Sequence, residues 1–129
     1  MISTLLLLAC GTEPADSGDS AATFAPTLAT VQSEVFNKSC AFSTCHGDGG
    51  GSANLSLVDG MSLANLVGMA ADGDPTQTRV VPGDPDASYL VMKLEEAPGI
   101  VGDVMPAVPL DAERIALVRE WIAEGAQAN

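Results

Sequence analysis

The sequence predicts an all-α domain of about four short helices joined by long loops. Apolar residues recur at helical spacing in four separate segments, helix-start and helix-stop residues bracket those segments, and no stretch reads convincingly as a strand. The first helix is expected over residues 26–38, where Leu28, Val31, Val35 and Phe36 fall at i, i+3, i+7 and i+8 on one stripe. Thr27 suits its cap and Pro26 its first turn. Residues 47–52 are a glycine-rich loop by composition, and Asn54-Leu55-Ser56-Leu57 alternates too briefly for a strand. Met61, Leu63, Leu66 and Val67 predict a second short helix ending at Gly68, with Asp59 as a candidate cap.

After a loop at residues 70–78, Arg79-Val80-Val81-Pro82-Gly83 leads to strong helix-start chemistry. Asp84 suits the N-cap, Pro85 the first helical position and Asp86 the positive end of the helix dipole. Tyr89, Leu90, Met92 and Leu94 continue this third helix until Pro98-Gly99. Residues 100–110 form an irregular segment holding Met105-Pro106. In the last helix Asp111 is the cap, Ile115, Val118, Trp121 and Ile122 are the apolar stripe, and Gly125 is the stop. Loops this long in a compact domain call for something to wrap around.

At the N-terminus, residues 1–9 are an apolar run too short to span a bilayer. Leu7-Leu8-Ala9-Cys10 resembles the lipobox of bacterial lipoproteins, which implies a signal peptide over 1–9, lipidation of Cys10, and a membrane-anchored protein on the periplasmic or outer face. No Lys or Arg precedes the run, so translation is expected to start further upstream. The alternative is a frayed apolar terminus with a buried Cys10. Residues 10–25 read as a flexible tether rich in Gly, Ser, Thr, Pro, Asp and Ala. Residues 26–129 remain for one modest core.

Seventeen acidic against five basic side chains give a net charge of −12, which argues against nucleic-acid binding, since phosphate contacts need clustered Lys and Arg. The acidity can steer a basic partner or simply keep the surface soluble. Aromatic content of 4% is thin for a self-sufficient core, and a buried apolar cofactor would supply volume. Three cysteines are an odd count. Lipidation of Cys10 leaves Cys40 and Cys45 as a close pair.

Chemistry concentrates in Cys40-Ala41-Phe42-Ser43-Thr44-Cys45-His46. Haem attached through thioethers needs two cysteines near its vinyl groups and a histidine directly after the second, most familiarly as Cys-x-x-Cys-His. Here the spacing is longer by two residues. A Cys40–Cys45 disulfide with an exposed His46 is the chief alternative. Zinc lacks a fourth ligand, and copper bound by Cys, His and Met matches no common copper loop. His46 is the only histidine, so a second axial ligand from this chain is a Met or Lys93, with water or a partner's group as the other options. Met61 and Met92 sit at helical spacing and suit core filling, and Met69 ends a helix. Met105 lies in a non-helical loop far enough along the chain to return across the opposite haem face, and His/Met ligation is the usual electron-transfer arrangement. Arg79 can neutralise a haem propionate or stand as a solvated surface residue. Tyr89 and Trp121 are expected against the haem edge or the first helix, with polar tips near the surface.

From Val31 to Ala126 the chain resembles single-haem cytochrome c domains of bacterial exported and lipid-anchored proteins. The matching pieces are Val35-Phe36 before Cys40, then Cys45-His46-Gly47, Leu55-Ser56-Leu57, Val80-Val81-Pro82-Gly83-Asp84-Pro85, Ser88-Tyr89-Leu90, Met105-Pro106, Trp121-Ile122 and Gly125-Ala126. The resemblance implies a cytochrome c-like fold around one covalent haem c. It makes Cys40 and Cys45 thioether sites, His46 the proximal ligand and Met105 the distal ligand, with one or two thioethers both open at this spacing. It implies electron transfer to a redox partner, with no reaction catalysed. The rival readings are a haem-free exported lipoprotein module with a Cys40–Cys45 disulfide, and a haem enzyme or ligand sensor in which Met105 leaves the iron free.

Overall fold

The computed structural model describes residues 23–49 and 51–129. The expected signal peptide, Cys10 and most of the tether lie outside the described residues. Among the described residues are four α-helices, α1 (Leu28–Val31), α2 (Ser62–Leu66), α3 (Tyr89–Leu94) and α4 (Ala112–Ala123), with a π-helical segment, Gln32–Cys40, and a 3-10 turn, Ser52–Asn54, between α1 and α2. No strand occurs among the described residues; the extended pieces meet only as isolated bridges, Val67 with Val80, Ala70 with Thr78, and Thr78 with Ser88. None of the described helices is long and apolar enough to cross a membrane.

α1 starts as its residues dictate, with the Thr27 hydroxyl accepting the Thr30 amide. It runs into the π-helical segment without a break, and the Ala41 amide closes the end on the Phe36 carbonyl, 2.8 Å away. That five-residue spacing widens the turn. At the 100° per residue of an α-helix, Val31 and Phe36 would point about 140° apart, with Cys40 about 40° from Phe36. In the wider π turn Val31, Phe36 and Cys40 are all buried in the same core. The chain packs slightly earlier than the expected boundary at residue 26: Phe24 lies against the core and the Thr23 amide reaches Glu113 Oε1 at 3.2 Å.

The core forms where the first helical stretch meets α4, and Val31, Val35, Phe36, Leu117, Val118 and Ile122 are completely buried. Trp121 is buried with them and donates its indole N–H to the Gln127 carbonyl at 3.0 Å, satisfying its one polar atom. The C-terminal residue returns to the start of α1, where Asn129 accepts the Leu28 and Ala29 amides through its side-chain and backbone oxygens. Arg119 fastens α4 to the α3 region through Glu95, at 3.0 Å, and Asp86.

Two helix starts differ from expectation. Asp84 does not cap α3; it accepts the Ala87 amide at 3.1 Å within a turn, and the helix begins at Tyr89. Ser88 is the cause. Its hydroxyl accepts the Val81 amide at 2.9 Å and donates to the Asp84 carbonyl at 2.8 Å, holding the residue extended and buried. Asp59 likewise caps nothing, since Met61 occupies the cap position of α2. That helix ends at Leu66 because Val67 turns extended to bridge Val80. Met61, expected in the core, sits at the start of that helix and is half exposed.

Candidate functional site

The motif turn is built on backbone hydrogen bonds. The π-helical segment delivers Cys40, the Cys45 amide donates to the Phe42 carbonyl at 2.9 Å, and the His46 amide donates to the Cys40 carbonyl at 3.0 Å. The two extra residues of the Cys-x4-Cys-His spacing are therefore taken up in a tight turn, and His46 still returns beside Cys40. Gly47 lets the chain leave this turn, because a Cβ there would sit 2.8 Å from the Phe42 carbonyl oxygen. The following loop folds back on the motif: Ser52 donates to the Cys45 carbonyl and Leu57 to the His46 carbonyl, both at 2.8 Å.

That return fixes the imidazole. His46 Nδ1 lies 3.1 Å from the Leu55 carbonyl oxygen. A carbonyl has no proton to give, so Nδ1 carries the proton and the neutral ring keeps its lone pair on Nε2. A backbone carbonyl orienting one ring nitrogen while the other stays available is the arrangement typical of a metal-ligating histidine. The loop that carries Leu55 is tied two residues earlier, at Ala53. Arg79, only 8% exposed, donates Nη2 to the Ala53 carbonyl and Nη1 to the Asn65 carbonyl, both at 2.8 Å. It is neither a solvated surface residue nor, among the described residues, paired with any carboxylate. Its guanidinium has five N–H donors, of which these bonds use two.

Both motif cysteines are free thiols. Cys40 is buried, and burial, with the neighbouring Cys45 adding to it, pushes its thiol up to about 12, so it stays protonated. Cys45 opens onto a cleft of about 530 Å3, which it shares with Phe42, Pro106, Val108, Leu110 and Arg114. The mouth of this cleft is apolar and exposed: Phe42 is 51% and Val108 80% accessible. Apolar side chains left in water around a concavity mark a binding surface. The size of the cleft, its largely apolar walls and the Cys45 thiol are compatible with a haem, while Cys40, His46, Arg79 and Met105 are not among the residues that line it.

Met105 precedes cleft-lining Pro106, so its loop returns to the motif side of the molecule. Its side chain is 39% exposed and its amide donates to the Lys93 carbonyl at 3.0 Å. Tyr89 and Trp121, expected near the haem edge or the first helix, separate: Trp121 stays in the helix core, while the Tyr89 hydroxyl accepts the Val101 amide at 2.9 Å. At the rim, Lys38 lies 2.6 Å and Arg114 3.6 Å from Glu34, and Arg114 also pairs with Asp111. The Lys38 hydrogen bond holds the Glu34 carboxyl below its usual value, and the bonds from Arg114 do the same for Asp111.

Sequence reasoning missed Lys93 as a holder of the Met105 loop and the backbone role of Arg79; neither has a local signature, because their acceptors are carbonyls. It also missed Gln32, buried and bonded to the Leu57 carbonyl, Asn37 and Ser62 beneath the His46 loop. Among the described residues no three His, Cys, Asp or Glu side chains come together as a metal-binding group. Comparison with family models, with curated proteins and with solved structures finds no match to this chain.

Proposed function

We propose that this protein is a c-type cytochrome that carries electrons through one covalently held haem and transforms no substrate. One observation carries the reading: His46, next to cleft-lining Cys45, has Nδ1 committed to the Leu55 carbonyl and Nε2 free to bind iron. A bound haem would supply an iron centre that takes up and releases one electron.

The chain's own residues do the rest. Cys45, and Cys40 where the second thioether forms, tether the macrocycle at the motif turn. His46 and Met105 would hold the iron, a pairing that would raise its potential. Phe42, Val108 and Leu110 would shield the bound group from water. Arg79, buried and bonded to the Ala53 and Asn65 carbonyls, would have three further N–H donors for a propionate. Lipidation at Cys10 and the tether over residues 10–25 anchor the domain on the periplasmic or outer face of the membrane. The net charge of −12 draws a basic redox partner.

The test is spectroelectrochemistry on the full chain, exported behind a cleavable signal in a host with a cytochrome c maturation system. The proposal expects a reversible one-electron couple with a low-spin spectrum in both oxidation states, and loss of that spectrum in His46→Ala. A haem-free product two hydrogens lighter than its reduced mass would mean a Cys40–Cys45 disulfide and would end the electron-transfer reading.

A further inference from the structure

Residues 100–110 contain no helix or strand, yet they carry the side chain proposed to complete the haem site. A loop of this kind needs its backbone groups satisfied from elsewhere. α3 does this. Tyr89 and Lys93 are four residues apart, on one face of that helix, and both reach the loop. The Tyr89 hydroxyl accepts the Val101 amide at 2.9 Å. The Lys93 ammonium donates to the Val101 carbonyl at 2.6 Å and the Asp103 carbonyl at 2.7 Å, and the Lys93 carbonyl accepts the Met105 amide at 3.0 Å.

Two carbonyls from residues flanking a single glycine converge on one ammonium because Gly102 has a φ of +77°. The left-handed turn aims both oxygens at the same point, a conformation costly for any other L-residue. A Cβ on Gly102 would also lie 3.6 Å from Lys93 Nζ. A compact, tetrahedral ammonium suits such a cup better than a planar guanidinium. The cup lies two residues from Met105, so whatever holds it also limits how far Met105 can swing.

We propose that Lys93 is a positioning residue that clamps the Met105 loop through the carbonyl cup around Gly102 and thereby keeps Met105 on the iron. The inference rests on the haem reading above. It predicts that Lys93 governs the rate at which Met105 leaves, since an external ligand can enter only when the loop opens.

The experiment compares the full-length exported wild type with Lys93→Gln, Lys93→Arg, Gly102→Ala and Met105→Ala. Covalent haem content, the ferric sulfur-to-iron charge-transfer band and the rate of displacement by imidazole are measured for each. Haem content should match in all five proteins, and the band should be present in wild type and absent in Met105→Ala. Imidazole should enter Lys93→Gln about tenfold faster than wild type, the effect expected for losing a partly exposed charge-assisted clamp. Lys93→Arg should lie between the two. The guanidinium midpoint, followed by Trp121 fluorescence, should move little. If Lys93→Gln loses haem or fold, Gly102→Ala decides, because it retains Lys93 and spoils only the cup; it too should admit imidazole faster. Unchanged entry rates in these variants, with the band intact, overturn the clamp and leave the cytochrome reading standing. Covalent haem without a Met105-dependent band in wild type also overturns the clamp. Wild type without covalent haem removes the cytochrome reading and the clamp together.

Discussion

Arg79 offers the sharpest test of how the His46 loop is held. Its guanidinium bridges the Ala53 and Asn65 carbonyls, and Ala53 lies two residues before the carbonyl that orients His46. Arg79→Leu keeps an apolar stem but deletes both bonds. Hydrogen bonds from a charged donor contribute about 1.5–3 kcal/mol each. Both carbonyls are only partly buried and regain some water, so the low end applies, and the variant should lose about 3 kcal/mol. Arg79→Lys can reach one carbonyl at a time and should lose about half of that. The assay is urea unfolding of the exported protein followed by Trp121 fluorescence, with the slope against denaturant unchanged so that the midpoint reports stability. If the reasoning holds, amide exchange at Leu57, whose N–H is bonded to the His46 carbonyl, should quicken in Arg79→Leu well before global unfolding. A loss smaller than about 0.5 kcal/mol with unchanged exchange at Leu57 would refute it.

Two further outcomes follow from the thiols and the rim carboxylates. In the haem-free, reduced protein at neutral pH, iodoacetamide should modify Cys45 well before Cys40, because Cys40 is buried with its thiol pushed up to about 12; peptide mass mapping checks the order, and denaturant should abolish it. Glu34 and Asp111 have folded carboxyl pKa values lowered by Lys38 and Arg114, so their contribution is present above the unfolded carboxylate pKa and is lost as pH falls through the folded value. Asp111 is exposed and Glu34 half-buried at the surface, so the acid-side fall in thermal midpoint attributable to them should be small, should shrink at high salt, and should be missing in a Glu34→Gln, Asp111→Asn double variant.

α4 was legible because its buried stripe follows the α period, and both it and the start of the first helix have caps, Asp111 and Thr27, that act through their own side chains. The π-helical register of Gln32–Cys40 was not, because an apolar stripe at helical spacing reads as an ordinary α-helix. Asp84-Pro85 misled because its helix-start chemistry is real, but Ser88 binds the backbone of Val81 and delays the helix by a turn. The motif residues Cys40, Cys45 and His46 could be named from spacing alone. What orients them could not, since Leu55, Ala53 and Asn65 contribute carbonyl oxygens, which every residue has. Lys93 stood among the candidate axial ligands, but its hold on the carbonyls flanking Gly102 could not be read for the same reason.

The central claim is that this chain holds haem covalently at Cys40-x4-Cys45-His46. The most direct measurement is a pyridine haemochrome spectrum, with intact mass, on the full chain exported alongside a cytochrome c maturation system and then extracted with acid acetone. A c-type α-band that stays with the polypeptide, one haem heavier by mass and lost in Cys45→Ser, is the predicted result. Colourless protein, or haem that passes entirely into the acetone, would contradict it.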